Sequence, residues 1–351
     1  MAEPVRLALL GCGWIARNRL RQIATDGLAE VVAVIDPSAE ACAGIHDLAP
    51  AARVQTDAAA LDLEQVDGVM ISTPTGLHAE QAVELLRRGV PVFVQKPLGI
   101  STVEVAQVLE AAARSDVPVE TDLCYRHLRS ARALRSELGN RTVGKPFYIE
   151  GCFHNAYRPN ARWSVERRLA GGGALMDLGI HLLDLLSWVT GQRVFLGGVQ
   201  LRHRGVQPGA ADVEDFARLD LSLEDGAEVR LLSSWDASTG RDAEIRLCIY
   251  GANGNLELIN RDGSFFDFDA RRCFGTWVDH LATDVSDDWQ AGPLRHWLRQ
   301  VRERAGYEEP AGVRQTAAII DEAYKLGRPD AAAELPKRRS VCHPAKREHL
   351  G

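Results

Sequence analysis

Several features that mark particular classes of protein are missing from this sequence. Its seven cysteines, at positions 12, 42, 124, 152, 248, 273 and 342, include no C-x-x-C pair. This spacing predicts neither a zinc site nor a disulfide framework, so we expect reduced thiols in a cytoplasmic protein without a metal. No apolar run approaches the roughly 20 residues that cross a bilayer. The short apolar stretch at residues 7–10 is followed by glycines rather than by a cleavage site, which predicts neither export nor a membrane partner.

Positive charge is also in short supply. The 351 residues hold 41 Lys and Arg against 48 Asp and Glu, a net charge of −7. Proteins that bind the phosphates of a nucleic acid are usually basic, so we expect no nucleic-acid partner. The imbalance lies in residues 1–122, with 9 basic and 17 acidic residues, whereas residues 123–351 hold 32 and 31. Only five lysines occur, and Lys96 is the one that falls within the first 122 residues.

The length predicts two domains, and the pattern of apolar residues changes near residue 122. Before that point, short β-branched runs alternate with amphipathic stretches of helical length, which is typical of βαβ units and a parallel sheet. After it, alternating runs separated by glycine-rich turns indicate an antiparallel sheet. We therefore predict an α/β protein: a doubly wound Rossmann domain at 1–122, an α+β domain with a large, open, mostly antiparallel sheet at 123–330, and a loose tail at 331–351.

Individual elements follow from the same periodicities. The predicted strands are residues 5–10, 31–35, 66–72, 90–94, 117–120, 147–153, 195–203, 215–223, 228–235, 245–250 and 255–258. The predicted helices are residues 15–25, 77–88, 102–114, 128–138, 173–189, 294–304 and 311–324.

A dinucleotide-binding motif follows the first predicted strand. In the segment Gly11-Cys-Gly13-Trp-Ile-Ala16, the first glycine permits a tight turn and the second lets the backbone approach a pyrophosphate. Ala16 is small enough for close packing of the helix on the strand, and the helix N-terminus favours a phosphate. The second strand ends at Asp36, where a carboxylate can bind ribose hydroxyls and repel a 2′-phosphate. We therefore expect the cofactor to be NAD rather than NADP; a simple turn-forming role for Asp36 is the alternative.

Lys96 follows the apolar run at residues 90–94, in the segment Gln95-Lys96-Pro97. It therefore lies at the carboxyl end of a predicted parallel strand, where doubly wound sheets bind their ligands. A buried ammonium group is costly without a partner, so this lysine is a candidate functional residue. An exposed loop lysine is the alternative.

Three ionisable residues share one face of the predicted helix at 173–189. Asp177, His181 and Asp184 are spaced i, i+4 and i+7, on a helix that is otherwise almost entirely apolar. A buried Asp–His pair can fix the imidazole tautomer and adjust its pKa for general acid–base catalysis. A solvated helix face and a metal site are the alternatives, and the metal site lacks further ligands nearby.

Taken together, these motifs resemble those of the Gfo/Idh/MocA oxidoreductases, the family of glucose–fructose oxidoreductase and inositol dehydrogenase. The similarity spans nearly the whole chain, with the glycine turn, the Lys-Pro pair and the run G-G-G-x-x-x-D-x-G-x-H-x-x-D in the family order. It also includes Ser72-Thr73-Pro74, His78, Trp163, Ser234-Trp235 and Gly251-x-x-Gly254.

The resemblance implies an NAD-dependent enzyme whose second domain binds substrate and often forms the subunit interface. Lys96, Asp177 and His181 would be catalytic, with His181 as general base, Asp177 orienting its ring and Lys96 stabilising the substrate oxygen. The implied cofactor residues are Gly11, Gly13, Trp14, Ile15, Asp36, Thr73, Pro74, His78, Gln95 and Lys96. The implied substrate residues are Tyr125 and Arg126, near the cofactor–substrate junction, together with Asp177 and His181. The segment before the catalytic helix offers further candidates for lining the pocket, with surface or subunit packing as the alternative: Tyr157, Arg158, Arg162 and Trp163.

Gln95 departs from the family pattern, in which most members have Glu at that position. Glutamine can still hydrogen-bond a cofactor amide or ribose, but it carries no charge. The departure leaves the expected catalytic set intact and puts cofactor affinity in question.

The expected reaction is oxidation of a secondary hydroxyl of a sugar, an aminosugar or aminoglycoside, or a cyclitol, by a homo-oligomer that assembles through the C-terminal sheet. The alternatives are an NAD(P)H-dependent ketoreductase of a nucleotide-linked keto-sugar and a non-catalytic dinucleotide sensor. Arg158 and Arg162 are the basic residues that a diphosphate would need. Trp277, His280 and Trp289, in an acidic stretch predicted to be irregular, are further candidates for the pocket.

Overall fold

The N-terminal sheet is fully parallel, as predicted. The computed structural model describes residues 3–284 and 290–328. The sheet has six strands in the order β3-β2-β1-β4-β5-β6, the doubly wound order of a Rossmann fold. Its strands are β1 (Val5–Leu10), β2 (Ala29–Ile35), β3 (Arg53–Gln55), β4 (Gly68–Ile71), β5 (Val92–Val94) and β6 (Val119–Thr121). Its helices are α1 (Trp14–Ile23), α2 (Ala39–Ala43), α3 (His78–Arg87) and α4 (Thr102–Ser115).

The central strands are buried along their whole length. Every residue of β4 and β5 is inaccessible to solvent, because helices cover both faces of a parallel sheet. This explains why these strands appear in the sequence as continuous apolar runs. Because all strands of this sheet are parallel, the carboxyl ends of β1, β4, β5 and β6 meet at one edge of it.

The second sheet has eight strands in the order β14-β13-β12-β11-β7-β10-β9-β8. All neighbours are antiparallel except β7 and β10, which are parallel. Strand β9 alternates buried and half-buried residues, because only one face of this sheet packs on helices. The strands are β7 (Pro146–Asn155), β8 (Val194–Arg202), β9 (Phe216–Leu223), β10 (Glu228–Ser234), β11 (Ala243–Gly251), β12 (Gly254–Asn260), β13 (Phe268–Phe274) and β14 (Trp277–Asp284).

Within the described residues, five α-helices follow the N-terminal domain in the chain. They are α5 (Arg129–Gly139), α6 (Arg167–Ala170), α7 (Ile180–Thr190), α8 (Gly292–Arg302) and α9 (Val313–Gly327). A π-helical turn, Leu175–Gly179, leads directly into α7. The prediction of a single helix at 173–189 therefore needs correction, because its first part is a wider turn.

Helix α8 packs on the N-terminal sheet rather than on the second one. Trp297 is fully buried beside Phe93 of β5, with ring centroids 5.9 Å apart. Its indole also lies against Gly68, where a Cβ atom would come within 2.6 Å of the ring. The chain thus returns to the Rossmann domain after the second sheet, an arrangement that the predicted boundary at residue 122 does not anticipate. The predicted loose tail at 331–351 lies outside the described residues.

Strand β14 occupies the stretch that the sequence predicts to be irregular, and β13 lies in a segment to which the sequence patterns assign no element. Charged residues interrupt the apolar alternation there, and β14 is an edge strand with little buried surface. Strand β3 was also missed, since three residues are too few for a periodicity.

One segment of the described chain, Arg167–Thr190, is long and apolar enough to cross a membrane by length and composition alone. In the structure 78% of its most apolar window is buried inside the protein. That burial is typical of the core helix of a soluble protein.

Candidate active site

A cavity of about 490 Å³ opens between the two sheets at the carboxyl edge of the N-terminal sheet. This edge is where doubly wound sheets bind ligands. Ten of the predicted site residues line it: Trp14, Ile15, Thr73, His78, Gln95, Lys96, Tyr125, Trp163, Asp177 and His181. The structure therefore brings the proposed catalytic groups and part of the proposed cofactor set to one place, whereas Gly11, Gly13 and Asp36 are not among the lining residues.

The glycine turn has the shape that a dinucleotide requires. Gly11 has a φ of +83°, and a Cβ atom there would lie 2.6 Å from the carbonyl oxygen of Ser72. Gly13 precedes α1, and the position of its missing Cβ has no neighbour within 4 Å. No side chain caps the N-terminus of α1, so the first N–H groups of this helix have no capping partner among the described residues. These residues fit a pyrophosphate, which the predicted helix N-terminus would bind.

Asp36 lies beside the glycine turn at the end of β2. Its Oδ2 accepts a hydrogen bond from the backbone N–H of Cys12 at 2.9 Å, and its Oδ1 accepts one from Ser38 at 2.8 Å. The carboxylate thus forms a turn and also touches the predicted phosphate loop. Each oxygen keeps a further lone pair, so the geometry leaves room for ribose hydroxyls.

His78 connects two loops at the edge of the sheet. Its Nδ1 lies 2.8 Å from the carbonyl oxygen of Pro97, and its Nε2 lies 2.8 Å from that of Thr73. Burial lowers the pKa of His78 below its usual value. A neutral imidazole has one N–H, so His78 donates to one of the two carbonyls and packs against the other, between the loop after β4 and the loop that carries Lys96. Pro74, in the first of these loops, is not among the residues that line the cavity.

Lys96 and Asp177 form the central ion pair of the cavity. The Nζ of Lys96 donates to Asp177 Oδ1 at 2.5 Å and to the Asp177 carbonyl at 2.7 Å. Asp177 Oδ2 accepts a hydrogen bond from Trp235 Nε1 at 3.0 Å. An ammonium has three N–H donors, so Lys96 keeps one for a ligand. Asp177 and Trp235 together fix the lysine in the cavity.

His181 lies next to this pair but does not bond to it. Its ring packs against Tyr125, with centroids 5.0 Å apart, and more loosely against Phe153 at 6.1 Å. Its Nδ1 is buried without a hydrogen-bond partner in the part of the chain that the structure describes. Burial, with a smaller effect of the positive charge of Lys96, lowers the pKa of His181 well below 6.5. The imidazole is therefore neutral near pH 7.

The predicted Asp177–His181 contact is wrong. The two carboxylate oxygens of Asp177 bond Lys96 and Trp235, and Nδ1 of His181 has no partner among the described residues. The segment Leu175–Gly179, predicted to be α-helical, forms a π-helical turn. The third ionisable residue of this stripe, Asp184, pairs through its buried carboxylate with the guanidinium of Arg126.

The glycine run that precedes this turn is required by close packing. Glu214 accepts hydrogen bonds at Oε1 from the N–H groups of Gly173, at 2.9 Å, and Leu175, at 3.1 Å. Tyr324 donates to the same oxygen at 2.7 Å, and Arg328 donates to Oε2 at 2.6 Å. The buried carboxylate therefore anchors the segment that carries Asp177 and His181.

Replacing Gly173 by alanine is expected to lower the free energy of unfolding by about 1–3 kcal/mol, the usual cost of overpacking. The new Cβ would lie 1.8 Å from the carbonyl oxygen of Glu214, which cannot move without disturbing the anchor. Denaturant unfolding followed by circular dichroism measures the loss. Gly139→Ala is the matched control, because its Cβ would meet nothing within 4 Å. Equal stability of the two variants would contradict the packing argument.

Several predicted substrate residues lie outside the cavity lining. Arg126 donates to Asp184 and to the Ala311 carbonyl, so it joins two structural elements. Tyr157 is exposed and bonds Asp242, and Arg158 pairs with Asp215 and Asp236. Arg162 is also exposed and does not line the cavity.

The pocket candidates from the stretch predicted to be irregular also do not line the cavity where the structure describes them. Trp277 and His280 lie in edge strand β14, and Trp277 is 71% exposed. Neither is among the lining residues. Trp289 lies outside the described residues.

Sequence reasoning missed other lining residues. Arg19 is an arginine on the otherwise apolar face of α1, a signal that a buried partner exists. Asp122 directly follows β6, so the reasoning applied to Lys96 would have found it. Side chains from turns of the second domain carry no such signal. The lining residues missed include Arg19, Asp122, Phe153, Asn155, Trp235, Phe265, Phe266 and Gln290.

Within residues 3–284 and 290–328, no group of three or more His, Cys, Asp or Glu side chains could hold a metal ion.

Comparison with known proteins shows which family the chain belongs to. Residues 5–122 match the NAD-binding Rossmann fold of an oxidoreductase family, and residues 131–257 match the GFO/IDH/MocA C-terminal domain. A protein of Amycolatopsis mediterranei (strain S699), named provisionally as the oxidoreductase subunit of UDP-kanosamine synthase, is 32% identical over 349 residues. The match covers 94% of this chain and 92% of that protein. The chain belongs to the GFO/IDH/MocA family. It is an oxidoreductase with an NAD(P)-binding Rossmann domain and a mostly antiparallel second domain, as predicted.

Other relatives differ in what their names say they act on. Inositol 2-dehydrogenase 2 of Saccharopolyspora erythraea is 27% identical over 259 residues, covering 72% of this chain and 73% of that protein. A solved structure of GenD2 from gentamicin A biosynthesis, in complex with NAD, has a TM-score of 0.77 at 23% identity and covers 95% of both chains. The 3-ketoreductase KijD10 of Actinomadura kijaniata, in complex with NADP and TDP-benzene, has a TM-score of 0.80 at 20% identity, covering 92% of this chain and 98% of that one. These two structural likenesses show the shared fold.

Proposed function

We propose that the protein is an NAD-dependent dehydrogenase that oxidises a secondary ring hydroxyl of a sugar, an aminosugar or aminoglycoside, or a cyclitol to a ketone. The observation that carries the proposal is the cavity in which a neutral His181 and the Lys96–Asp177 ion pair lie side by side. Oxidation of a carbinol needs a base for the hydroxyl proton and a donor for the oxygen, and this cavity offers both.

His181 is the proposed general base. Because its pKa is lowered, the ring is already deprotonated at neutral pH and can accept the hydroxyl proton. Lys96 donates its remaining N–H to the same substrate oxygen and stabilises the developing negative charge. Asp177 positions Lys96 through the ion pair, while Trp235 holds Asp177. Asp177 thus orients Lys96 rather than the imidazole.

The bound dinucleotide supplies the hydride acceptor, so the alcohol loses a hydride and a proton and becomes a ketone. The turn at Gly11 and Gly13 fits its pyrophosphate, and Asp36 fits the adenosine ribose. Thr73, His78 and Gln95 line the same cavity and complete the proposed cofactor set.

The charges in the cavity favour the oxidative direction. Ketone reduction would need a protonated group to donate to the product oxygen, and the lowered pKa of His181 leaves little imidazolium at neutral pH. Ketone reduction by the same groups, at acidic pH or with Lys96 as the acid, is the second candidate. A relative of Streptomyces violaceoruber that is 28% identical over 214 residues is named dTDP-3,4-didehydro-2,6-dideoxy-alpha-D-glucose 3-reductase.

The lining supports a sugar ring more than a diphosphate. Among the described lining residues, the positive charges of arginine and lysine come from Arg19 and Lys96, and each is already paired with a carboxylate. Arg158, a candidate for binding a diphosphate, is neutralised by two aspartates. Aromatic rings, which pack on the apolar faces of sugars, are numerous instead: Trp14, Tyr125, Phe153, Trp163, Trp235, Phe265 and Phe266.

Exchanging Asp36 for serine together with Pro37 for arginine is expected to shift cofactor preference from NAD toward NADP by about 10-fold or more. The carboxylate that repels a 2′-phosphate is lost, and a guanidinium that attracts one is gained. The ratio of kcat/KM for the two cofactors measures the shift. Asp57→Ser, in an exposed turn of the same domain, is the control. An unchanged ratio would leave Asp36 a turn residue only.

A cytoplasmic location and a homo-oligomer formed through the second sheet remain part of this proposal. The uncovered face of that sheet carries tyrosines and ion pairs, among them Tyr148, Tyr250 and the Arg246–Glu150 pair. Light scattering on purified protein would report the oligomeric state.

The proposed function is tested by screening free polyols, cyclitols, aminosugars, aminoglycosides and nucleotide sugars with NAD and following NADH absorbance. We expect turnover with at least one compound that lacks a nucleotide. Turnover confined to nucleotide-linked keto-sugars with NAD(P)H would favour the reductase instead. A non-catalytic sensor would bind the dinucleotide and turn over nothing.

A further inference from the structure

A buried polar network borders the cavity beside Lys96, and the reaction proposed above does not use it. Asp122 follows β6 and is 1% exposed. Its Oδ2 accepts hydrogen bonds from Arg19 Nε, at 2.7 Å, and from the side-chain amide of Gln95. Arg19 also donates to Gln290 Oε1 at 2.8 Å. The network therefore joins α1, the ends of β5 and β6, and the segment that enters α8.

One oxygen of this network is left without a partner. Oδ1 of Asp122 is buried and accepts no hydrogen bond from any residue in 3–284 or 290–328. A buried carboxylate oxygen that stays unpaired carries a large desolvation cost. Arg19 and Gln95 already bond Oδ2, and Asp122 itself lines the cavity. A donor on a ligand bound in this cavity would supply the missing partner.

We propose that Asp122 binds the cofactor: its Oδ1 accepts a hydrogen bond from the nicotinamide–ribose half of the dinucleotide. The donor is a ribose hydroxyl or the carboxamide N–H, which share the same chemistry toward a carboxylate. The inference rests on the proposed dinucleotide site.

The strand order of the sheet supports a contact between Asp122 and the nicotinamide half of the cofactor. Asp36 and the glycine turn follow β2 and β1, in the half of the sheet that binds the adenosine end. Asp122 and Gln95 follow β6 and β5, in the other half, on the far side of the point where the strand order reverses. A dinucleotide lies across that point, so its nicotinamide end meets Asp122.

The same network explains Gln95. The amide of Gln95 donates to Asp122, whereas the glutamate usual in the family would bring a second carboxylate against the same oxygen. Two adjacent carboxylates repel each other. The negative charge expected at position 95 is therefore carried by Asp122, with Arg19 as its counter-ion.

The test is the affinity of the purified protein for NAD, ADP-ribose and ADP, measured by calorimetry without substrate. Asp122→Asn is expected to weaken NAD binding about 10- to 100-fold, the usual value of a hydrogen bond to a charged group. ADP, which lacks the second ribose, should bind as to wild type. Equal loss for ADP-ribose and NAD assigns the donor to the ribose, and a loss confined to NAD assigns it to the carboxamide.

Asp184→Asn is the matched control. Asp184 is also 1% exposed and paired with an arginine, but it does not line the cavity. Its NAD affinity should stay within about twofold of wild type. NAD binding by Asp122→Asn that equals wild type would overturn the inference, and so would an equal loss for ADP, which would indicate general damage to the groove.

A second variant covers a folding defect in Asp122→Asn. Arg19→Gln/Asp122→Asn removes both charges together and leaves no buried ion unpaired, and its affinities for NAD and ADP are compared with those of wild type. NAD binding should weaken by about 10-fold or more while ADP binding is retained, and an unchanged NAD affinity would reject the contact. Because the contact lies in the half that NAD and NADP share, the loss is expected for whichever dinucleotide binds. A protein that prefers NADP would count against the proposed NAD specificity alone.

Discussion

Replacing Lys96 by methionine is expected to lower kcat for alcohol oxidation by at least about 100-fold while NAD still binds. The ammonium is the donor proposed to stabilise the substrate oxygen, and removal of one such donor typically costs about 10²- to 10³-fold. Methionine fills similar volume, and Asp177 keeps its hydrogen bond from Trp235. Steady-state kinetics with the alcohol found by screening, together with NAD binding by calorimetry, measure the two quantities separately.

Lys325→Met is the control for this substitution. Lys325 lies on α9, is largely exposed and pairs with Asp321 one helical turn away, so its loss should leave kcat unchanged. The residual activity of Lys96→Met carries a second signature. Because the charge of Lys96 lowers the pKa of His181, its removal should raise that pKa and move the acidic limb of the pH–rate profile to higher pH. Near-wild-type turnover would show that the lysine is a bystander.

The sequence predicted the parallel sheet and its ligand-binding edge because both follow from local patterns. The strand at 90–94 is a continuous apolar run, so Lys96 had to leave a buried strand at the carboxyl edge of the sheet. The glycine turn and Asp36 were found in the same way. Asp122, at the end of the next strand, obeys the same rule.

The contacts within the site could not be predicted from spacing. Asp177 and His181 are four residues apart, which on an α-helix implies a shared face. The buried Glu214 anchors the entry to the helix at Gly173, and the carboxylate of Asp177 bonds Lys96 and Trp235 rather than the ring of His181. Tertiary contacts with a loop some 40 residues away in sequence decide this geometry, and no local pattern reports them.

The second domain gives two more contacts or positions that the sequence could not predict. Arg158 was a candidate for binding an anionic substrate because of its charge, yet Asp215 and Asp236 neutralise it. Its partners lie more than 50 residues away, on elements whose pairing the sequence does not specify. His280 was placed in an irregular stretch near the pocket and instead lies on edge strand β14.

His181→Ala is expected to remove most of kcat, by about 10²- to 10⁴-fold, and to abolish the acidic limb of the pH–rate profile. Activity needs the neutral ring, whose fraction rises with pH and is half at the pKa. Because burial lowers that pKa well below 6.5, wild-type kcat/KM should stay level through pH 6.5 and fall only in more acidic buffer.

The matched control is His280→Ala, an exposed histidine on β14 that does not line the cavity. Its profile should overlay that of wild type, and NAD affinity should be unchanged in both variants, since α7 belongs to the second domain. An acidic limb that persists in His181→Ala would assign the titration to another group. A limb centred near pH 6.5 in wild type would instead show that the buried ring meets water in the working enzyme, since hydration would restore the ordinary pKa of an imidazole.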